Sequence, residues 1–186
     1  DWAPVGGKWW ATKNFDVSTV GAINVGGTWY YSQAAIAALN ALAAPHGCRV
    51  PTNEDFDTTI FGYGYARGMA SDSGWSADWG QDGTNTYGTA IEPLKSLTSG
   101  GSLVAGAVFA SMLSDGENSD YILRAFHPSM GVTAWEINSE FEGDGYYPVR
   151  FVRDTDPNPG EYVGGDAVLA QYKLKTNPSD PVEPFG

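Results

Sequence analysis

Hydrophobic positions set two rhythms along this chain. Between residues 5 and 31 the bulky side chains Trp9, Trp10, Val17, Val20, Ile23, Val25, Trp29 and Tyr31 are punctuated by Gly6-Gly7, Gly21 and Gly26-Gly27, a pattern of short strands joined by tight turns. From Ser32 the spacing lengthens. Ile36, Leu39 and Leu42 recur in an Ala-rich stretch, which predicts a helix over about residues 33–44, capped by Ser32 and ended by Pro45 and Gly47. The run Cys48-Arg-Val-Pro-Thr-Asn-Glu-Asp-Phe56 then turns the chain and opens a second helix over about residues 53–61. Pro51 holds the residue before it extended, Thr52 is a good N-cap, and Asp55 completes a variant capping box. Asn53-Glu54-Asp55 place acidic groups on the positive helix end, and Phe56 and Ile60 share one face.

The periodicity breaks over residues 62–90. Gly62, Gly64, Gly68, Gly74, Gly80, Gly83 and Gly88 alternate there with Trp75, Trp79 and Tyr87, and with Asp72, Asp78 and Asp82. This reads as a long Gly-rich loop, and loops of that length in a compact domain are usually functional or mobile. A short helical piece is expected at Ile91–Leu97, a strand over 103–113, a polar loop at Ser114–Asp120 and a strand at Tyr121–Phe126. Around 132–142, Trp135, Ile137, Ser139 and Phe141 line one strand face and Glu136, Asn138, Glu140 and Glu142 the other. Gly143-Asp-Gly145 is a turn, and Tyr147–Arg153 is the last core strand. After Asp154 the chain turns repeatedly, with one more strand at Val168–Leu174 and a tail marked by Pro178, Pro181 and Pro184. The organisation is therefore a domain over residues 1–154 and a C-terminal extension over 155–186.

Composition narrows the partners. Acidic residues outnumber basic ones 22 to 10, a net charge of −12, so the basic footprint that nucleic acid requires is missing. The sign suits solubility, cations or neutral ligands such as glycans. No apolar run approaches the roughly 20 residues of a membrane-spanning helix. The 24 Gly, 7 Trp and 10 Tyr, with few Lys, point to the outside of a cell, and an opening residue other than Met points to a processed N-terminus.

Candidate chemistry is sparse. A single cysteine excludes an intrachain disulfide framework, and Cys48 at a helix-to-turn junction reads as a buried small hydrophobe. No Gly-x-Ser-x-Gly elbow is present. His46 and His127 have no zinc spacing, and His46 suits the negative end of the first helix. Hard oxygen donors for one calcium ion occur as Asp72, Asp78 and Asp82, and as Asp115, Glu117, Asn118 and Asp120; solvated loop acids are the plainer explanation. Glu136 and Glu140 stand roughly 13 Å apart at about 3.3 Å per residue, wider than the roughly 5–10 Å of a glycosidase pair. The remaining signal is aromatic. Trp75, Trp79 and Tyr87, beside Asp78, Asp82 and Asn85, suit sugar rings that stack on flat faces while polar groups take the hydroxyls. The same rings equally suit a plug that packs the loop onto the domain.

Four pieces in order resemble the Fibrobacter succinogenes major paralogous domain, a family with the C-type lectin-like fold of the formylglycine-generating enzymes. Gly7-Lys-Trp-Trp-Ala-Thr-Lys-Asn-Phe15 looks like its opening G-x-x-W-x-A-x-N-L. Thr28-Trp-Tyr-Tyr-Ser32 with its helix looks like Y-x-W-x-x-A, and Cys48–Phe56 looks like C-x-x-G-W-R-V-P-T-x-x-E-W with the Gly-Trp part shortened. Tyr147-Pro-Val-Arg-Phe-Val-Arg-Asp154 looks like the closing G-F-S-V-R-C-V-R-D. Phe151 stands where that closing strand often has Cys, so Cys48 lacks its implied partner, and the family's W-S-S-T-E is at best Ala110–Ser114.

The resemblance implies an α+β, C-type lectin-like fold, with two helices flanking a small twisted antiparallel sheet and a long loop region. It also implies a non-catalytic, extracellular or surface-exposed binding module. Such a module meets a glycan or surface protein through residues 62–90 and 111–121, with Asn118 and Tyr121 added to the aromatic loop residues and no cofactor beyond optional calcium at Asp115, Glu117 and Asp120. One alternative is a structural subunit of an appendage, filament or virion, assembling through the C-terminal extension. An oxidase of the formylglycine-generating type needs a cysteine pair that Cys48 alone does not supply.

Overall fold

The computed structural model describes residues 2–59, 63–75, 82–94, 96–103, 110–116, 123–128, 131–134 and 145–157. Among them the chain is mixed α+β, with small antiparallel sheets and short helices. The predicted single sheet is instead three sheets of three strands each.

Both N-terminal hairpins close across glycine pairs. Strands β1 (Trp2–Val5) and β2 (Lys8–Ala11) pair with Ala3 opposite Trp10. Strands β3 (Ala22–Val25) and β4 (Thr28–Ser32) pair with Ile23 opposite Tyr30. Gly6-Gly7 and Gly26-Gly27 all have positive φ, which a two-residue turn matched to strand twist requires. A third sheet joins β5 (Ala110–Leu113), β6 (Leu123–His127) and β7 (Gly131–Ala134) in that order.

The expected last strand, Tyr147–Arg153, is two. Strand β8 (Tyr146–Tyr147) pairs with β4, and β9 (Val152–Arg153) pairs with β2. Pro148 has no N–H for a ladder, and its carbonyl accepts from Leu113 N–H instead. The chain thereby leaves one sheet and enters another, bringing its late strands against its first ones.

The first helix forms where expected. A 3-10 turn at Gln33–Ala35 leads into α1 (Ile36–Ala43), and a second at Ala44–His46 ends on Gly47 at φ 69°. Ser32 has extended backbone but makes no side-chain cap bond. Leu39 and Ala43 are buried, while Leu42 is half exposed, because six residues beyond Ile36 is about 120° round the helix. Helix α2 (Asn53–Thr59) begins with the reciprocal cap: Asp55 N–H donates to Thr52 Oγ1 at 3.2 Å, and Thr52 N–H donates to Asp55 Oδ2 at 2.7 Å.

Two expectations are corrected here. The segment read as wholly loop contains helix α3 (Tyr63–Met69), which lies against β6 and β7. Its Gly68 concealed it, since glycine lowers helix propensity, but a Cβ there would run into the Tyr87 ring. Close approach, not looping, accounts for this glycine. The helix expected at Ile91–Leu97 is absent among its described residues. Ile91 bridges Ala70, Leu97 bridges Leu103 and Tyr146, and Pro93 biases Glu92 toward extended backbone.

Two buried clusters hold the domain. Trp10, Phe56, Met69, Trp75, Ile91 and Val152 belong to one, with the Trp10 and Phe56 rings 5.4 Å apart. Tyr31, Leu39, Val50, Leu113, Tyr147 and Phe151 belong to the other. Cys48 joins this second cluster, with its thiol against Ala43 O, and burial pushes that thiol up. Among the described residues no helix is long and apolar enough to cross a membrane. The expected strand faces around Trp135, Ile137 and Phe141, the strand at 168–174 and the Pro-rich tail lie outside the described residues.

Candidate functional site: a cleft over a buried arginine

The aromatic loop serves the core first. Trp75 is 8 % exposed, and its indole N–H donates to Ser71 O and Oγ. It is therefore packing, not a ligand platform. Asp82 accepts the Trp75 backbone N–H at 3.2 Å. Tyr87 stacks on Tyr65 with centroids 6.1 Å apart and lies over Gly68. Asn85 has positive φ (47°), and its side chain accepts Ala90 N–H at 2.8 Å. These four residues build the connection from α3 to Ile91. Asp78, Trp79, Asn118 and Tyr121 lie outside the described residues.

The calcium donors are likewise not assembled in what is described. Asp115 accepts from Asn40 Nδ2 at 3.0 Å and so ties the end of β5 to α1. Glu117, Asn118 and Asp120 lie outside, and among the described residues no three acidic, His or Cys side chains come together.

A different set of residues does converge. A cleft of about 360 Å³ opens between residues 12–16, the β3–β4 hairpin and residues 90–94. Trp29 lines it from β4 and is half buried because it also packs against the second core cluster. Lys13, Asn14, Asp16 and Glu92 supply polar and charged groups. Aliphatic surface comes from Leu94, and Phe15 closes one end.

Arg150, from the segment between β8 and β9, forms the back of the cleft. It is 4 % exposed and has no carboxylate hydrogen-bonded to it among the described residues. Nε donates to Asn14 Oδ1 at 2.7 Å, and Nη1 donates to the carbonyls of Ala11 and Thr89. Nη2 donates to Ala90 O at 3.3 Å. Four of the five guanidinium N–H groups are thus used, three of them on backbone carbonyls. Burial lowers its pKa, and the Glu92 carboxylate acts in the opposite direction. The carbonyls it gathers come from a strained place: Ala90 has φ 43°, left-handed for a residue with a Cβ. Arg150 thereby ties residues 89–90 to residues 11–14 at the back of the cleft.

Tyr31 fixes the opposite wall. Its buried hydroxyl accepts Val17 N–H at 3.1 Å and donates to Val17 O at 2.8 Å, with Phe15 O at 3.2 Å. Burial, with help from the Asp16 charge and against the Val17 hydrogen bond, pushes its pKa up to about 12, so it stays a neutral clamp. The backbone bond from Phe15 N–H to Val149 O lays this segment along the one that carries Arg150.

Sequence reasoning placed Trp29 only in the early strand pattern and did not single out Arg150. One signal was available: Arg150 is the only charge within Tyr147-Pro-Val-Arg-Phe-Val152, a run otherwise apolar enough to be buried. Asn14, Asp16 and Glu92 carried no such mark, because nothing in their spacing relates residues some 75 positions apart.

A pocket with two aromatic residues, two carboxylates, an amide and an ammonium can stack an apolar ring face and exchange hydrogen bonds with hydroxyls. Comparison of the chain with protein-family models, with curated proteins and with solved structures gives no match.

Proposed function

We propose that this protein is a non-catalytic binding module of the cell exterior, on a C-type lectin-like scaffold, that takes a sugar in the cleft between Trp29, Asp16 and Glu92. The observation that carries the reading is a half-buried indole beside carboxylates and an amide in a hollow of monosaccharide to disaccharide size. The scaffold assignment draws support from where the four resembling segments lie. Trp9 pairs with Arg153, Tyr31 with Tyr147, and Arg49 bridges Val152, so the four form one connected framework. The cleft stands on that framework, and its walls are the connections between the segments.

A glycan array probed with wild type and Trp29→Ala checks the proposal, with Trp29→Phe as a folding control. Wild type should retain a defined set of glycans, and Trp29→Ala should lose at least tenfold in affinity for them. Equal binding by both, or none by either, sinks the glycan reading.

A further inference from the structure

A second, larger hollow of about 800 Å³ shares Phe15 with the cleft. Its walls are largely apolar: Trp2, Phe15, Val17, Leu42, Pro45 and Phe151. Val17 and Leu42 are each 49 % exposed, so two large aliphatic side chains stand half in water beside aromatic surface. One permanent cation enters this lining. Arg153 reaches in from β9 with its guanidinium carbon 5.4 Å from the Trp2 ring centroid and its Nη2 beside Gly47.

Arg153 differs from the basic residues next to it. Lys8 and Arg49 both bind Asp154, at 2.5 and 2.8 Å, and Arg49 also grips Asp55. Arg153 makes no ion pair with a described residue, and its Nε is buried with no acceptor among them.

We infer that this hollow binds an amphiphilic carboxylate, with the anionic head on Arg153 and a hydrocarbon body along Phe15, Val17 and Leu42. The planar fork of an arginine suits a carboxylate, and the volume lies within the roughly 300–1,000 Å³ of small-molecule sites. The inference stands apart from the sugar cleft: the two hollows share Phe15, but Trp2, Leu42 and Arg153 line only this one.

Isothermal titration of the full chain with decanoate and with decan-1-ol, both below micellar concentration, tests the assignment. Decanoate should bind wild type at least tenfold more tightly than the alcohol. Arg153→Met should reduce decanoate to the level of the alcohol, Arg153→Lys should keep a part of the preference, and Leu42→Glu should weaken both ligands. Leu42 sits at an exposed rim, so that variant separates loss of the site from loss of the fold. Equal affinity of wild type for both ligands, an unchanged decanoate affinity in Arg153→Met, or no binding of decanoate overturns the inference. Displacement of decanoate by an acidic apolar peptide but by no other carboxylate would also overturn it, in favour of a protein partner.

Discussion

Two arginines 101 positions apart in the chain, on segments that meet in space, solve the same problem in opposite ways. Arg49 sits in the junction between α1 and α2, where opposite charges answer one another: Arg49 binds Asp55 and Asp154, and Lys8 joins both carboxylates. Arg150 sits under the cleft and is surrounded by dipoles, three carbonyls and one amide oxygen. The junction is 30 % exposed at Arg49 and welcomes water at its rim. The cleft arginine is almost wholly enclosed. Salt bridges near water tolerate loss of a partner, whereas a buried charge held by dipoles leaves several groups unsatisfied at once when it is removed. The first region therefore closes the junction between the helices, and the second shapes the cleft.

The sharpest way to break this comparison is Arg150→Met. Four acceptors lose their donor together, and the expected destabilisation is about 3–5 kcal/mol, read in urea unfolding, with residues 89–90 freed from 11–14. A loss under 1 kcal/mol would mean that the dipole cage is incidental.

Asp55→Ala comes next. It removes a helix cap and the buried half of the Arg49 pair, and it should cost about 2–3 kcal/mol. Burial by itself would raise the Asp55 carboxyl, but Arg49 and Thr52 hold it below its usual value. A depressed carboxyl contributes stability that is full above its unfolded pKa of about 4 and is lost as pH falls through the lower folded value. The gap between wild type and Asp55→Asn in urea should therefore narrow at acid pH and stay level from pH 5 to 8. A gap that widened on acidification would contradict the pairing.

Gly68→Ala probes the shape-held region without touching a charge. Its Cβ meets the Tyr87 ring, so overpacking of about 1–3 kcal/mol should appear in a thermal melt despite alanine's better helix propensity. The smallest effect belongs to Asp154→Asn. Asp154 is held low chiefly by its hydrogen bond to Lys8 and then by Arg49, but its side chain is 55 % exposed, and a pair so placed contributes less than about 1 kcal/mol. Raised salt should abolish that difference.

Where sequence reading succeeded, the physics was local. The Gly-Gly turns, the Thr52–Asp55 cap, the Gly47 stop and the burial of Cys48 each depend on residues within a few positions of one another. Helix α3 was missed because Gly68 looks like a loop residue until Tyr87 is placed against it. Trp75 looked like a platform until Ser71 took its N–H. Strand Tyr147–Arg153 looked continuous because nothing local says that its two ends belong to different sheets.

The amino-acid sequence by itself determined the α+β character, the order of short strands, the first two helices and a net charge of −12, since periodicity, capping and composition can be read along the chain. Only the tertiary structure decided which side chains share the cleft. Asn14, Trp29, Glu92 and Arg150 meet because β4 pairs with β8 and β2 with β9, and such pairings between distant segments are selected by the burial of a common core.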